Sequence, residues 1–241
     1  MPGDEARLDG RAPDELRPVH MTTAYVVHPE GSVLIDMGRT RVLCNATISA
    51  GVPSFLLGTG KGWVTAEYSL LPRSTHTRTP RETQGPRGRT HEIRRLVGRS
   101  LRGAVDLKLL GEREVIIDCD VIQADGGTRT ASVTGGYVAL VLALRTLIQS
   151  GTVPPEVLLA PVAAVSVGVV SGRPMLDLCY EEDSHADADL NVVMTGRGEF
   201  IEVQGTAERQ PFSRTTMDHL LDLASHGIAR LLDIQEAALC D

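Results

Sequence analysis

One run of the chain sets its architecture. From about Thr130 to Gln149 it reads TASVTGGYVALVLALRTLIQ, with Arg145 as the single charged residue. Wound into a helix, those side chains leave no polar face, so the helix must be covered on every side. It therefore belongs at the centre of the fold, with other elements on both flanks, and Gly151 supplies its stop. The preceding EVIIDCDVI reads as a buried strand. Between strand and helix lies QADGGTRT, a sharp corner of two glycines, two threonines and an arginine.

The rest of the chain is read around that centre. GSVLIDMG, TRVLCNATISAG and GWVTAEYSL are strand-like runs bounded by glycines. LPRSTHTRTPRETQGPRGRT has three prolines and no apolar period, so it is an exposed loop. HEIRRLVGRSLRGAVDL places Ile93, Leu96, Val97, Leu101 and Val105 on one helical face, with Arg94, Arg95, Arg99 and Arg102 largely outside it. After a linker, TVPPEVLLAP, four strands are expected in two hairpins: VAAVSVGVV with PMLDLCY, and ADLNVVMT with EFIEVQGT. A closing amphipathic helix follows, with Ser213 as its N-cap and Met217, Leu220, Leu221, Ala224, Ile228 and Leu231 as its apolar stripe. Strands then helix, twice over, gives an α+β fold of two duplicated units, residues 1–155 and 156–241.

Charge narrows the function. The net charge of −7 argues at face value against nucleic acid, but its distribution does not. Between Arg73 and Arg102 nine arginines stand against two glutamates, a local excess of seven positive charges, so the remainder carries −14. Such a strip binds polyanions whatever the total charge. The polar opening stretch is no signal peptide, and no apolar run approaches the ~20 residues of a membrane span. Cys44, Cys119, Cys179 and Cys240 form no C-x-x-C pair and read as core thiols of a reducing cytosol.

Two segments could carry chemistry. At GGTRT, a helix amino terminus offers unpaired N–H groups, glycines let an anion approach closely, Thr128 adds a hydroxyl and Arg129 a forked cation. The same residues would also serve an ordinary strand-to-helix turn. The second segment is YEEDSHADADLN, where Glu181, Glu182, Asp183, Asp187 and Asp189 crowd together. By itself this could be a solvated acidic turn. Alternation along the following strand puts Asp187 and Asp189 on the same side, where a cation would relieve their repulsion and Mg²⁺ suits such ligands. No H-E-x-x-H group, nucleophile elbow or dinucleotide fingerprint is present.

With these motifs assembled, the sequence resembles the ribonuclease PH family of phosphate-dependent exoribonucleases. The likeness runs through DGR, LRP, GVPSFL, GWVTAEYSLLPRSTHTR, GRTHEIRRLVGRSLR, DCDVIQADGGTRTASVTGGYVAL, YEEDSHADADLNVVMT and EVQGTAE. The resemblance implies a duplicated α+β fold akin to a ribosomal-protein domain, assembled as a homohexameric ring of three dimers in the cytoplasm. It implies phosphate binding by Arg89, Gly127, Thr128 and Arg129, catalysis and Mg²⁺ (or Mn²⁺) binding by Asp183 and Asp189, and RNA contacts from Arg73, Arg78 and Arg81. The implied activity trims the 3′ ends of tRNA precursors, and of other RNA including rRNA. Inorganic phosphate is the co-substrate, nucleoside diphosphates are released, and nucleotide addition is the reverse reaction. Asn191 stands where related polynucleotide phosphorylases have lysine. A hydrolytic metal-dependent nuclease and a noncatalytic RNA-binding ring subunit remain the alternatives.

Overall fold

The computed structural model describes residues 7–240; the first six residues of the polar opening stretch, and the last residue, lie outside them. The first sheet holds β1 (Val19–Thr23), β2 (Gly31–Met37), β3 (Thr40–Ala50), β4 (Trp63–Leu70) and β5 (Arg113–Gln123), in the order β1-β2-β3-β5-β4. All pairs are antiparallel except β4–β5. A parallel pair needs a crossover, and α1 (Gly88–Arg102) with the single turn α2 (Leu107–Leu110) supplies it. The second sheet runs β7-β6-β8-β9, all antiparallel: β6 (Val162–Val170), β7 (Arg173–Leu176), β8 (Ala188–Thr195) and β9 (Phe200–Ala207).

Between the sheets lies α3 (Thr128–Gln149), the central helix its sequence requires. On one side it meets the alternating buried residues of the first sheet, among them Ile35, Cys44, Ile117 and Cys119. The approach is close enough to demand glycine. A Cβ on Gly135 would lie 2.7 Å from the Ile35 Cγ2, and one on Gly31 2.0 Å from the Ala139 carbonyl oxygen. On the other side Thr134 Oγ1 accepts from the Ala164 N–H on β6 at 3.1 Å. Gln235 Nε2 donates to the carbonyls of Thr134 and Val162 at 2.9 and 3.0 Å, tying in the last helix, α5 (Arg214–Cys240). One continuous apolar core results, running from Leu16 to Leu231.

Ser213 caps α5, its Oγ accepting from Thr216 N–H at 3.1 Å, and Leu220, Ala224, Ile228 and Leu231 are buried. Met217 and Leu221 are only partly so. All four cysteines are free thiols, but only Cys44 and Cys119, cross-strand partners, are core residues; Cys179 is half-buried and Cys240, near the end of α5, is exposed.

Several details depart from the sequence reading. At 22 residues α3 is long and apolar enough to cross a membrane, although no run was expected to approach that length; 72% of its most apolar window is buried inside the protein. It begins at Thr128 rather than Thr130, so Thr128 and Arg129 form its first turn. β1 and α2 carry too little apolar periodicity to be legible. PMLDLCY is a strand only as far as Leu176, because Asp177 turns the chain at a φ of +52°. The acidic run that follows is solvated except at Glu182, but it is a short helix, α4 (Tyr180–His185), and not a turn.

Candidate active site

The corner before α3 is built as an anion cradle requires. Gly126 and Gly127 both adopt left-handed φ values, +76° and +65°, so the chain reverses and aims the first N–H groups of α3 outward. The space beside Gly126 is full. A Cβ there would meet the Leu178 carbonyl oxygen at 2.5 Å and the Tyr180 nitrogen at 2.9 Å. Glycine thus lets the corner sit directly against the amino end of α4, and the Tyr180 N–H donates to Asp125 Oδ1 at 3.3 Å. Two segments more than fifty residues apart in sequence become one wall.

Thr128 Oγ1 lies 2.8 Å from the Tyr68 hydroxyl on β4. Arg129 donates through Nη1 to Gln204 Oε1 at 2.8 Å and Glu92 Oε1 at 3.1 Å; its other nitrogens make no hydrogen bond among the described residues. Arg89, in the first turn of α1, is exposed and makes no ion pair among the described residues.

The second sheet forms the floor. On β8, Asp189 and Asn191 face the opening while Leu190 and Val192 point into the core. They lie opposite Gly168 and Ser166 on β6, and Thr206 and Gln204 on β9. All of these elements border one cleft of about 600 Å³, whose lining includes Arg89, Gly127, Thr128, Arg129, Asp183 and Asp189.

The acidic cluster does not act as one. Glu182 is buried and paired bidentately with Arg7, at 2.8 and 2.7 Å, and its Oε2 also caps α4 by accepting from Cys179 N–H at 3.0 Å. Asp187 does not share a side with Asp189. It precedes the first residue of β8, so strand alternation does not govern it, and it borders a separate depression with Pro174, Phe212 and His219. Of this cluster, Asp183 and Asp189 line the cleft, where Glu92 and Glu208 from other elements join them. His185 Nδ1 is engaged locally, 2.8 Å from the Glu181 carbonyl and 3.0 Å from Ser184 Oγ.

Burial pushes the Asp183 carboxyl above its ordinary pKa, against the pull of Arg89 and Arg129. Asp189 is pushed up to about 6, first by burial, then by repulsion from Asp183, with Arg129 opposing. Its Oδ1 is buried with no hydrogen-bond partner, and its Oδ2 receives only a long bond of 3.4 Å from Asn191. An under-solvated carboxylate, Asp189, beside the like charge of Asp183 at the cleft is the expected environment for a cation.

The basic strip is also partitioned. Arg94 pairs with Glu67 at 2.6 Å, Arg99 with Glu202 at 3.1 Å, and Arg102 donates to the Val64 carbonyl while its guanidinium lies 4.2 Å from the Trp63 ring centre. Arg73, Arg78 and Arg81 are exposed without an ion pair among the described residues. Their loop is tied to the cleft by the Ala124 N–H, which donates to the Ser74 carbonyl at 2.8 Å. Arg89 and Arg95 on α1 are likewise exposed and unpaired among the described residues, so the uncompensated charge runs from the loop onto α1, beside the cradle.

Sequence reasoning missed what holds the walls together. Arg17, buried, grips Asp177 bidentately at 2.7 and 3.0 Å and donates to the carbonyls of Asp125 and Gly126. Arg7 and Arg11 reach the same segment, donating to the Asp177 carbonyl. The only signal was the presence of arginines within DGR and LRP, and nothing in their spacing names their partners.

Residues 15–145 match the 3′ exoribonuclease family, domain 1, and residues 160–227 match its domain 2. The chain belongs to the 3′ exoribonuclease family. Within the family, it is 60% identical over 232 residues to ribonuclease PH of Solibacter usitatus, covering 95% of this chain and 98% of that protein. It is 57% identical over 238 residues to ribonuclease PH of Bacillus cereus, covering 98% and 97%. Among solved structures, the Archaeoglobus fulgidus exosome with RNA bound to the active site is similar with a TM-score of 0.78 at 24% identity, over 95% of this chain and 92% of that one. An archaeal exosome core follows at 0.74 and 22%, over 96% and 91%. Those two likenesses concern the fold.

For this 3′ exoribonuclease family member, Asp189 makes a measurable prediction. Its folded pKa lies above the ordinary 3.8, so the native state holds more protons than the unfolded chain between about pH 4 and 6. Stability is accordingly lost as pH rises through that window, and ionised Asp189 remains a cost above it. Asp189→Asn should stabilise the metal-free protein by about 1–3 kcal/mol near pH 8, with the gain vanishing below about pH 4. Urea unfolding at the two pH values in chelator checks this; an equal midpoint for both proteins near pH 8 contradicts it.

Proposed function

We propose that the chain is a phosphate-dependent 3′-to-5′ exoribonuclease that trims tRNA precursors, and other RNA 3′ ends including rRNA. Inorganic phosphate attacks the terminal 3′,5′-phosphodiester, the new bond makes a nucleoside diphosphate, and the shortened RNA leaves with a free 3′ hydroxyl. The observation that carries this reading is the shared cleft: the anion cradle and the acid pair face one volume.

Phosphate is already an anion at neutral pH, so the reaction needs no strong general base. The difficulty is bringing two anions together. Arg89, Arg129, the Thr128 hydroxyl and the N–H groups after Gly127 would hold the attacking phosphate in place. Because it is neutral, Asn191 beside Asp189 adds no charge of its own.

Asp183 and Asp189 fit a divalent cation such as Mg²⁺ or Mn²⁺, since Asp189 Oδ1 is buried and unpartnered. Among the described residues no three His, Cys, Asp or Glu side chains gather to hold a metal, which suits an ion that completes its shell with water and substrate phosphate. When bound, the ion masks negative charge on the scissile group. RNA is gripped by Arg73, Arg78 and Arg81 on their tethered loop. We place the reaction in the cytoplasm, in keeping with four free thiols, and assign a homohexameric ring, a trimer of dimers, as the assembly. A ring would let one basic strip per subunit line a shared surface while the outside stays acidic.

Product analysis on a 3′-extended tRNA tests the proposal. Nucleoside diphosphates should appear only when phosphate is present, and added diphosphates should extend the RNA. Release of monophosphates without phosphate would instead establish a hydrolytic nuclease. A noncatalytic ring subunit, which would give neither product, is disfavoured by the convergence of Arg89, Arg129, Asp183 and Asp189.

A further inference from the structure

We propose that Ser166 supplies a further hydroxyl that binds the attacking phosphate. Ser166 lies on β6 with 4% of its surface exposed, and its Oγ is buried without a hydrogen-bond partner. Ser74 Oγ is the other buried hydroxyl without a partner among the described residues, and Ser74 does not line the cleft. Ser100, Thr130, Ser132 and Thr134 each donate to a backbone carbonyl between 2.8 and 3.1 Å. A buried hydroxyl left unpaired costs stability, so a ligand is the natural recipient of its proton.

The placement indicates which ligand. Ser166 borders the same cleft as Thr128 and Arg129, on the floor beneath the glycine corner. Its Oγ would lie 3.8 Å from a Cβ on Gly127, with Arg17 Nη2 3.0 Å from the same point. Thr130 Oγ1 would be 3.2 Å away, so Gly127 is what lets the amino end of α3, which attracts an anion, pack down close to Ser166. Directly across the sheet stands Asn191, which is neutral and offers no competing charge. A serine hydroxyl donates to phosphate at any working pH, adding reach without adding charge to an already cationic wall.

This inference rests on the phosphorolytic reading, and the test separates the two. Ser166→Ala and the near-isosteric Ser166→Cys are compared with the intact wild-type protein in three measurements: KM for phosphate, KM for a 3′-extended tRNA, and the rise in Tm on adding inorganic phosphate. Both variants should raise the phosphate KM roughly tenfold, the loss expected for one hydrogen bond to an anion. The RNA KM should stay put, and the phosphate-induced rise in Tm should shrink. Without phosphate, Ser166→Ala should melt no lower than wild type, because it removes an unsatisfied group.

An unchanged phosphate KM in both variants overturns the proposal. So does a lowered Tm without a change in KM, which would mean that the hydroxyl holds a structural water. A shifted divalent-ion requirement at constant phosphate KM overturns it too, by making Ser166 a cation ligand. If wild type itself cleaves without phosphate, the functional reading fails; if wild type is phosphorolytic and the variants match it, only this inference does.

Discussion

Asp183→Asn should lower turnover by about 10²–10³-fold or more, the scale of loss when a preorganised electrostatic group is removed. The side chain keeps its shape, and Asp183 lies open at the cleft rather than in the core, so folding should be spared. RNA binding should persist, because the loop arginines and not the acid pair attract the polyanion. The converse variant, with Arg73, Arg78 and Arg81 all changed to alanine, should bind RNA weakly and reduce the slope of log affinity against log salt by about two, at roughly 0.7 for each phosphate no longer neutralised. Filter binding at several salt concentrations, beside single-turnover assays, separates the two. If Asp183→Asn lost RNA binding along with turnover, the acid would be holding the fold of the cleft instead of the chemistry.

Asp177→Asn is expected to be the most damaging substitution for stability. Asp177 is fully buried, and the Arg17 side chain beside it is 3% exposed. Removing the carboxylate charge strands a guanidinium in the interior, which costs about 3–5 kcal/mol. Adding Arg17→Met should recover part of that loss, since no charge is then left behind. Equilibrium urea unfolding of the single and double variants measures both numbers. A loss below about 1 kcal/mol for Asp177→Asn would show that the pair is well compensated by water and does not clamp the cleft.

Which features were legible follows from how local their causes are. The central helix could be read from its own twenty residues, because an apolar surface on all sides has one meaning. The Thr128–Arg129 corner was readable for the same reason: glycines, a hydroxyl and an arginine at a helix start describe an anion cradle within eight positions. The acidic segment was readable only in part. Its composition could not say that Glu182 would face Arg7, 175 residues away, while Asp183 next to it turned to the cleft. Strand alternation misplaced Asp187 because it applies only within a strand, and β8 begins one residue later. The arginines of the basic strip looked alike in sequence. Partners on other elements, Glu67 and Glu202, decide which of them remain available. Ser166 was invisible, since an unpaired hydroxyl is a property of its surroundings.

The bond from Arg17 to Asp177 spans 160 positions of sequence. A ribosome adding about 5–20 residues per second needs roughly 8–30 seconds to make the second partner after the first. Until then Arg17 has only the carbonyls of Asp125 and Gly126 to hold, and the glycine corner lacks the wall it leans on. The clamp and both cleft acids, Asp183 and Asp189, thus come from the last third of the chain, so the cleft cannot be assembled until that third has been made.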